Sequence, residues 1–409
     1  AAIVATGDRG LCGAYNSNVL RKAMAHLREN PEAKAGFVEL VGKKGAAFLK
    51  FNKVPVSQQH TFGDKPSYEA VKALADSLVS ELNLTGPQVI DLVMQPDGRF
   101  LPCAGGAVYN LSRALARQGV PVMYMNPFSF DRFGRQLASG LVADGALLAQ
   151  AEPVPEVTSL AVVGVDAQGH PDYAFYREAV ADRVITAQAL NAACADAPEL
   201  DIVCTGCLAL APADADKYLP WLASQKAAGR WVVVDTNLRP TVLPDMAPYR
   251  ANIHAALAHA DLVKASDEDL QHLAVPGADA FAQALHVLNH CGARMMALTL
   301  GGDGAALLPK TDTGILTVRG RESVPVQVVD TVGAGDSFLA GLLTALLAQA
   351  DAAACKPAAW VARLDAQALG HLLSHALATA TVNVMRAGCQ PPTLAEVQAR
   401  LAQHPITLS

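Results

Sequence analysis

Two glycines on either side of one alanine, in Asp330-Thr331-Val332-Gly333-Ala334-Gly335-Asp336-Ser337-Phe338, run straight into the apolar stretch Leu339-Ala340-Gly341-Leu342-Leu343. A glycine turn opening a buried helix is the fold element this order requires. Gly333 and Gly335 admit backbone angles that a side chain forbids, so successive N–H groups can converge on an anion at the positive end of the helix starting near Asp336. Such a turn stabilises the charge that develops on a transferring phosphoryl group, and Asp336 stands where it can take the proton of an attacking hydroxyl. In the competing reading the turn only joins a strand, Val324 to Val329, to a buried helix, with Asp336 as its N-cap. The turn by itself leaves both readings open.

Further motifs share this order along the chain. Gly105-Gly106 with Asn110 precedes Leu115-Ala116-Arg117-Gln118-Gly119; Asp235-Thr236-Asn237-Leu238-Arg239-Pro240 follows the apolar run Trp231-Val232-Val233-Val234; and Thr299-Leu300-Gly301-Gly302-Asp303-Gly304 follows another. Taken singly, each is an ordinary turn signal. Together, and with the complete core Asp-Thr-x-Gly-Ala-Gly-Asp, they resemble the ribokinase and fructokinase type (PfkB) carbohydrate kinases over residues ~86–409.

The resemblance implies a ribokinase-like three-layer α/β fold with a largely parallel sheet and a small β lid. Strands are expected near 160–166, 200–204, 230–235, 261–265, 295–300 and 324–329, alternating with helices, so that ligands sit at the carboxyl ends of the strands. It also implies an ATP-dependent phosphotransferase acting on a sugar hydroxyl, closest to fructokinases and 2-keto-3-deoxygluconate kinases. Asp336 is then the base and Gly333, Ala334 and Gly335 the anion hole. Sugar recognition falls to Asp91, Gly105, Gly106 and Asn110. Ala161 to Gly164 and Asp172 to Tyr176 resemble lid strands, with Tyr176 available as a lining residue, and Arg177 and Arg239 are the cations available for a substrate carboxylate or the phosphate. Nucleotide contacts map to Asn237, Thr299, Gly301, Gly302 and Gly304. Mg²⁺ is expected with ATP; Ser266 and Asp269 replace the family's Asn-x-x-Glu pair in its network, and Asp330 is placed beside a monovalent cation such as K⁺. The first strand departs from the family pattern, since Gly86-Pro87-Gln88-Val89-Ile90-Asp91 stands where Gly-Glu-x-x-Ile-Asp is usual.

Charge divides the chain near Leu84-Thr85-Gly86-Pro87: residues 1–86 hold eight of the thirteen lysines and carry a net +3, the remainder −9. Two domains, 1–86 and 87–409, follow from that shift. The first reads as α/β, with a strand Ala2 to Thr6, helices Ser17 to Glu29 and Ser67 to Leu82, and a strand Gly36 to Val41. Gly7-Asp8-Arg9-Gly10-Leu11-Cys12-Gly13-Ala14-Tyr15-Asn16, with Gly42-Lys43-Lys44-Gly45, resembles the central domain of the gamma subunit of F-type ATP synthases. That family's shaft helices are not evident here, so the resemblance implies ancestry or a fusion. Association with the alpha and beta subunits, at the periphery of an energy-transducing membrane, is the expectation it carries.

A net charge of −6 and the absence of any basic arm argue against nucleic acid as a partner, and the longest apolar stretch, Phe338 to Ala348, is short of a membrane span. Eight scattered cysteines suit a reducing, cytoplasmic compartment, and Cys204-Thr205-Gly206-Cys207 lacks the second pair a zinc site needs. The chain begins Ala1-Ala2-Ile3 with no Met, as a fragment or a processed product does. The partner expected is a small sugar, and family lids either pair two subunits or stand alone.

Overall fold

A computed structural model of the chain describes residues 2–6, 15–29, 38–56, 58–62, 82–95, 97–150, 152–165, 171–195, 200–243, 245–311 and 314–409. Two compact units divide it, Ala1–Val79 with Gln150–Val154, and Ser80–Ala149 with Pro155–Ser409.

In the first unit, β1 (Ala2–Ala5), β2 (Val38–Val41) and β3 (Gln58–His60) form a three-stranded parallel sheet. Val4, Val38 and Leu40 of the sheet bury with Leu20, Met24 and Leu27 of the helix Tyr15–Glu29, whose apolar positions recur at helical spacing. Gly7 to Ala14 and most of the expected helix Ser67 to Leu82 lie outside the described residues. Leu82 itself opens a strand, not a helix end.

The second unit is built on a sheet whose parallel core runs β14 (Met295–Thr299), β13 (Leu262–Ser266), β12 (Trp231–Asp235), β11 (Ile202–Gly206), β4 (Leu82–Leu84), β7 (Val122–Tyr124) and β8 (Leu147–Leu148). Antiparallel strands β15 (Ala305–Thr311), β17 (Val318–Arg321) and β18 (Thr407–Leu408) extend one edge. Alternation along each strand sends side chains to opposite faces. Ile202, Trp231, Val233, Met295 and Leu307 enter one core with helices Ala107–Arg117, Ala334–Ala352 and Ala366–Val384. Val203, Val232, Val234, Met296 and Leu308 enter the other with helices Ala215–Ala227, Met246–Leu257 and Ala280–His290. Burial on both faces explains why these strands read as continuous apolar runs, and it makes the three layers.

Strand β4 sits in the middle of this sheet, hydrogen-bonded to β11 on one side and β7 on the other, so residues before Gly86 supply the central strand. A smaller sheet has the order β10 (Pro171–Tyr176), β9 (Leu160–Val165), β5 (Val89–Met94), β6 (Phe100–Gly105) and forms the lid layer. The expected strand at 160–166 thus belongs to the lid, not to the parallel sheet.

The expected strand Val324 to Val329 does not form. Its alternating valines suggested one, but Pro325 removes a donor, and β15 already pairs with β17 where a further strand would dock. Val328 and Val329 are left 56% exposed, held by a bond from the Val329 N–H to the Val384 carbonyl. Among the described residues no helix is long and apolar enough to cross a membrane, and the seven described cysteines are free thiols.

Candidate active site

Neighbouring parallel strands deliver polar groups to their carboxyl ends, where backbone pairing stops and side chains gather. Asp235 closes β12 and is paired in register with Lys264 of β13. The helix Ala334–Ala352 begins beside them, capped by Gly333 in the left-handed conformation at φ 74°. Asp336 is therefore three residues into the helix and is not its N-cap. A Cβ on Gly333 would overlap the Cys389 thiol, so glycine is needed there for space as well as for φ. A Cβ on Gly335 would lie 2.9 Å from Lys264 Nζ, which places the ammonium over the first turn of the helix.

Asp336 is only 6% exposed and is held by two amides. Asn110 Nδ2 donates to its Oδ2 at 3.0 Å, and Asn237 Nδ2 reaches Oδ1 at 3.5 Å while donating to Asp235 Oδ2 at 3.2 Å. Burial, reinforced by the nearby Asp235 charge, pushes the Asp336 carboxyl up to about 6; the Asn110 bond and the charges of Lys264 and Arg239 pull the other way.

Lys264 Nζ is 3.0 Å from Asp235 Oδ1, with side chains 5% and 7% exposed, in the contact of an ion pair without the alignment of a hydrogen bond. Burial works against this ammonium, but Asp235, Asp269 and Asp336 outweigh it and hold its pKa above the ordinary lysine value. Sequence reasoning missed Lys264. The signal was present, since a lysine inside the run Leu262-Val263-Lys264-Ala265 must find a counter-charge to be buried.

Asp91 lies on β5, half-buried, and its neighbour across the sheet explains the glycine pair: a Cβ on Gly105 would overlap Asp91 Oδ2, and one on Gly106 would lie 2.5 Å from the Pro87 carbonyl. Burial raises the Asp91 carboxyl to about 6 against the pull of Arg239. Arg239 is exposed, donates to the Leu238 carbonyl at 3.1 Å, and is within electrostatic reach of Asp91, Asp235 and Asp336. Asp91, Gly105, Asn110, Asn237, Arg239, Gly333, Gly335 and Asp336 are thus connected by contact or by charge.

Other expected residues have different tasks. Asp269, expected in a metal network, completes a capping box with Ser266: Oδ2 accepts the Ser266 N–H at 2.9 Å and Oδ1 the Leu238 N–H at 2.7 Å. Both oxygens are spent on backbone, and the second bond braces Asn237, which holds a positive φ of 36°. Arg177, expected to meet substrate, is paired with Asp182 at 2.7 Å and lies 3.7 Å from Asp214, both deeply buried. Tyr176 projects from the lid sheet 62% exposed. Asp330 accepts the N–H groups of Val332 and Gly388 at 3.0 and 2.8 Å, tying the segment before the helix to the turn after Val384. Thr299 ends β14; Gly301 (φ 55°) and Gly304 (φ 94°) shape the turn behind it, with Gly301 and Gly302 facing open space.

The family model described as pfkB family carbohydrate kinase matches residues 91–390, and that of ATP synthase matches residues 1–95, in agreement with the gamma-like segment. A fructokinase of Rhizobium leguminosarum bv. trifolii is 36% identical over 251 residues, covering 60% of this chain and 72% of the relative. One from Vibrio alginolyticus is 30% identical over 276 residues, covering 67% and 86%. The crystal structure of a Xylella fastidiosa fructokinase with bound ATP superposes with a TM-score of 0.67 at 26% identity, covering 80% of this chain and 99% of that one. A glycine turn with a buried aspartate, a lid sheet carrying Asp91, and these matches lead to one assignment: the chain belongs to the pfkB family of carbohydrate kinases.

Proposed function

We propose that this chain phosphorylates a neutral sugar of the fructose class from ATP, with Asp336 as general base and the Gly333-Ala334-Gly335 turn as anion hole. The observation that carries the reading is the placement of Asp336: a buried carboxylate on the first turn of a helix, beside a glycine cap and under a buried ammonium. A fructokinase of Vibrio cholerae that resembles this chain at 25% identity was crystallised with fructose, ADP and a calcium ion. ATP, when bound, supplies the phosphoryl group. The chain's own residues do the rest. Asp91 and the Gly105-Gly106 turn receive sugar hydroxyls, and Asp336 takes the proton of the attacking one. The helix N-terminus and Lys264 face the charge that develops on the phosphoryl oxygens. Asn237, Thr299, Gly301, Gly302 and Gly304 are proposed at the nucleotide.

Mg²⁺ fits this site as an ion held by phosphate oxygens and water, since no cluster of three His, Cys, Asp or Glu side chains among the described residues could hold a metal. Asp330 is proposed beside a monovalent cation, with its two N–H bonds fixing the surrounding loop. We further propose residues 87–409 as the kinase domain by ancestry, with Leu82–Leu84 of the gamma-like segment completing its sheet.

Charge selects the sugar class. Asp182 and Asp214 engage Arg177, leaving Arg239 as the cation near Asp91, and Asp91 itself repels a carboxylate. ADP release with Mg-ATP and K⁺ over fructose, ribose, 2-keto-3-deoxygluconate, adenosine and no sugar is the test. Fructose should give the highest kcat/KM and the sugar acid a value lower by about two orders of magnitude; a preference for the acid would overturn the neutral class.

A base must be ionised to accept a proton. Because the Asp336 and Asp91 carboxyls are both raised to about 6, kcat/KM with fructose should climb steeply through pH 6 and level off above pH 7. A flat profile from pH 5 to 8 would remove Asp336 from the base role.

A further inference from the structure

We infer that Asn110 is a positioning residue for the base: its amide fixes the carboxylate of Asp336 in the orientation and charge state needed to accept the sugar proton. This rests on the assignment of Asp336 as base. Asn110 stands on the first turn of the helix Ala107–Arg117, 3% exposed, with its backbone N–H bonded to the Gly106 carbonyl at 2.8 Å. The glycine turn that receives the sugar therefore also sets the position of the amide. Its Nδ2 donates to Asp336 Oδ2 at 3.0 Å across a separation of 226 residues. An amide nitrogen is only a donor, so this bond favours the ionised carboxylate and leaves its other lone pairs for a substrate hydroxyl.

The other half of the side chain points the same way. Asn110 Oδ1 is buried with no hydrogen-bond partner among the described residues, although most buried polar atoms have one. An acceptor beside the base suits a second hydroxyl of the same sugar. One amide then carries both tasks, holding the base with its nitrogen and registering the sugar with its oxygen. Asn237 approaches the opposite oxygen of Asp336 at 3.5 Å, too far to fix the carboxylate alone.

Several other charged groups act on Asp336. Asp235 from the end of β12, Lys264 from β13 and Arg239 from the segment after β12 all face it. The thiols of Cys204, Cys207 and Cys389 surround it, and burial pushes each of them up, so they stay neutral across the working range. None of these groups changes when Asn110 is replaced, so a shift in the acid limb reports the amide.

The experiment is the pH profile of kcat, at saturating fructose and Mg-ATP, for wild type, Asn110→Ser and Asp336→Asn. Loss of the amide should move the acid limb upward by about one pH unit and lower the plateau by about tenfold. Asn110→Gln, which keeps the amide but displaces it by a methylene, should move the limb in the same direction and serves if the serine variant does not fold. A raised KM with an unmoved acid limb, in whichever variant is folded, would show a role in sugar binding alone and overturn the inference. Asp336→Asn separates the two levels. If that variant turns over like wild type, the assignment of the base has failed; if it is inactive while Asn110→Ser keeps the wild-type limb, only the positioning role has failed.

Discussion

Replacing Asp336 by asparagine is expected to lower turnover by about three orders of magnitude and, at pH 8, to raise the thermal midpoint. The first effect follows from losing the proton acceptor while the glycine turn and the helix terminus stay in place. The second follows from where the carboxylate sits. Burial and the neighbouring Asp235 raise its folded pKa to about 6 from the ordinary 3.8, so the folded protein holds this proton more tightly than the unfolded chain does. Ionisation above pH 6 therefore costs stability, and acidification from 6 toward 3.8 restores it. Asparagine is neutral throughout, so its advantage should be full at pH 8 and absent below pH 4. Thermal unfolding of the two proteins from pH 4 to 8, beside the turnover assay, checks both. A variant that is less stable than wild type at pH 8, or one that retains a tenth of the activity, contradicts the site as described.

Lys264→Met is expected to destabilise the protein by about 3–5 kcal/mol, because breaking a buried ion pair leaves Asp235 uncompensated. It should also lower turnover by at least about a hundredfold, since the ammonium over the first turn of the helix Ala334–Ala352 is the fixed charge facing the phosphoryl group. The two losses can be separated. Lys264→Met with Asp235→Asn removes the uncompensated charge, so most of the stability should return while turnover stays low. Denaturant unfolding and steady-state kinetics on the single and double variants make the comparison. Recovery of turnover together with stability would reduce Lys264 to the structural partner of Asp235.

Asp336 and its glycine turn were legible because local order alone dictates them: Gly-Ala-Gly before an apolar run can be little else than a helix entrance, and a carboxylate on its first turn is costly without a purpose. The three layers were legible for a similar reason, since strands buried on both faces must be apolar throughout. Val324 to Val329 failed by the same logic. Its alternation is real, but a strand also needs a free edge with donors to offer, and pairing elsewhere in the sheet is not written in the segment itself. Asp269 was misjudged because a capping box and a metal ligand share one local pattern, Ser-x-x-Asp, and only the position of the Leu238 N–H distinguishes them.

The sequence by itself determined the elements, their order and the chemistry available at each turn, because these depend on neighbours a few residues apart. It also contained Lys264 and Asn110, but not their partners. Which groups meet was decided by the tertiary structure. Strands entering in parallel bring Asp235 beside Lys264, and the packing of two helices brings Asn110 to Asp336 across 226 residues. The same packing gave Arg177 to Asp182, taking from the substrate a cation that the motif had offered. Charges at contact distance in a buried site govern pKa and binding far more strongly than the same charges in water, and contact distance exists only once the chain has folded.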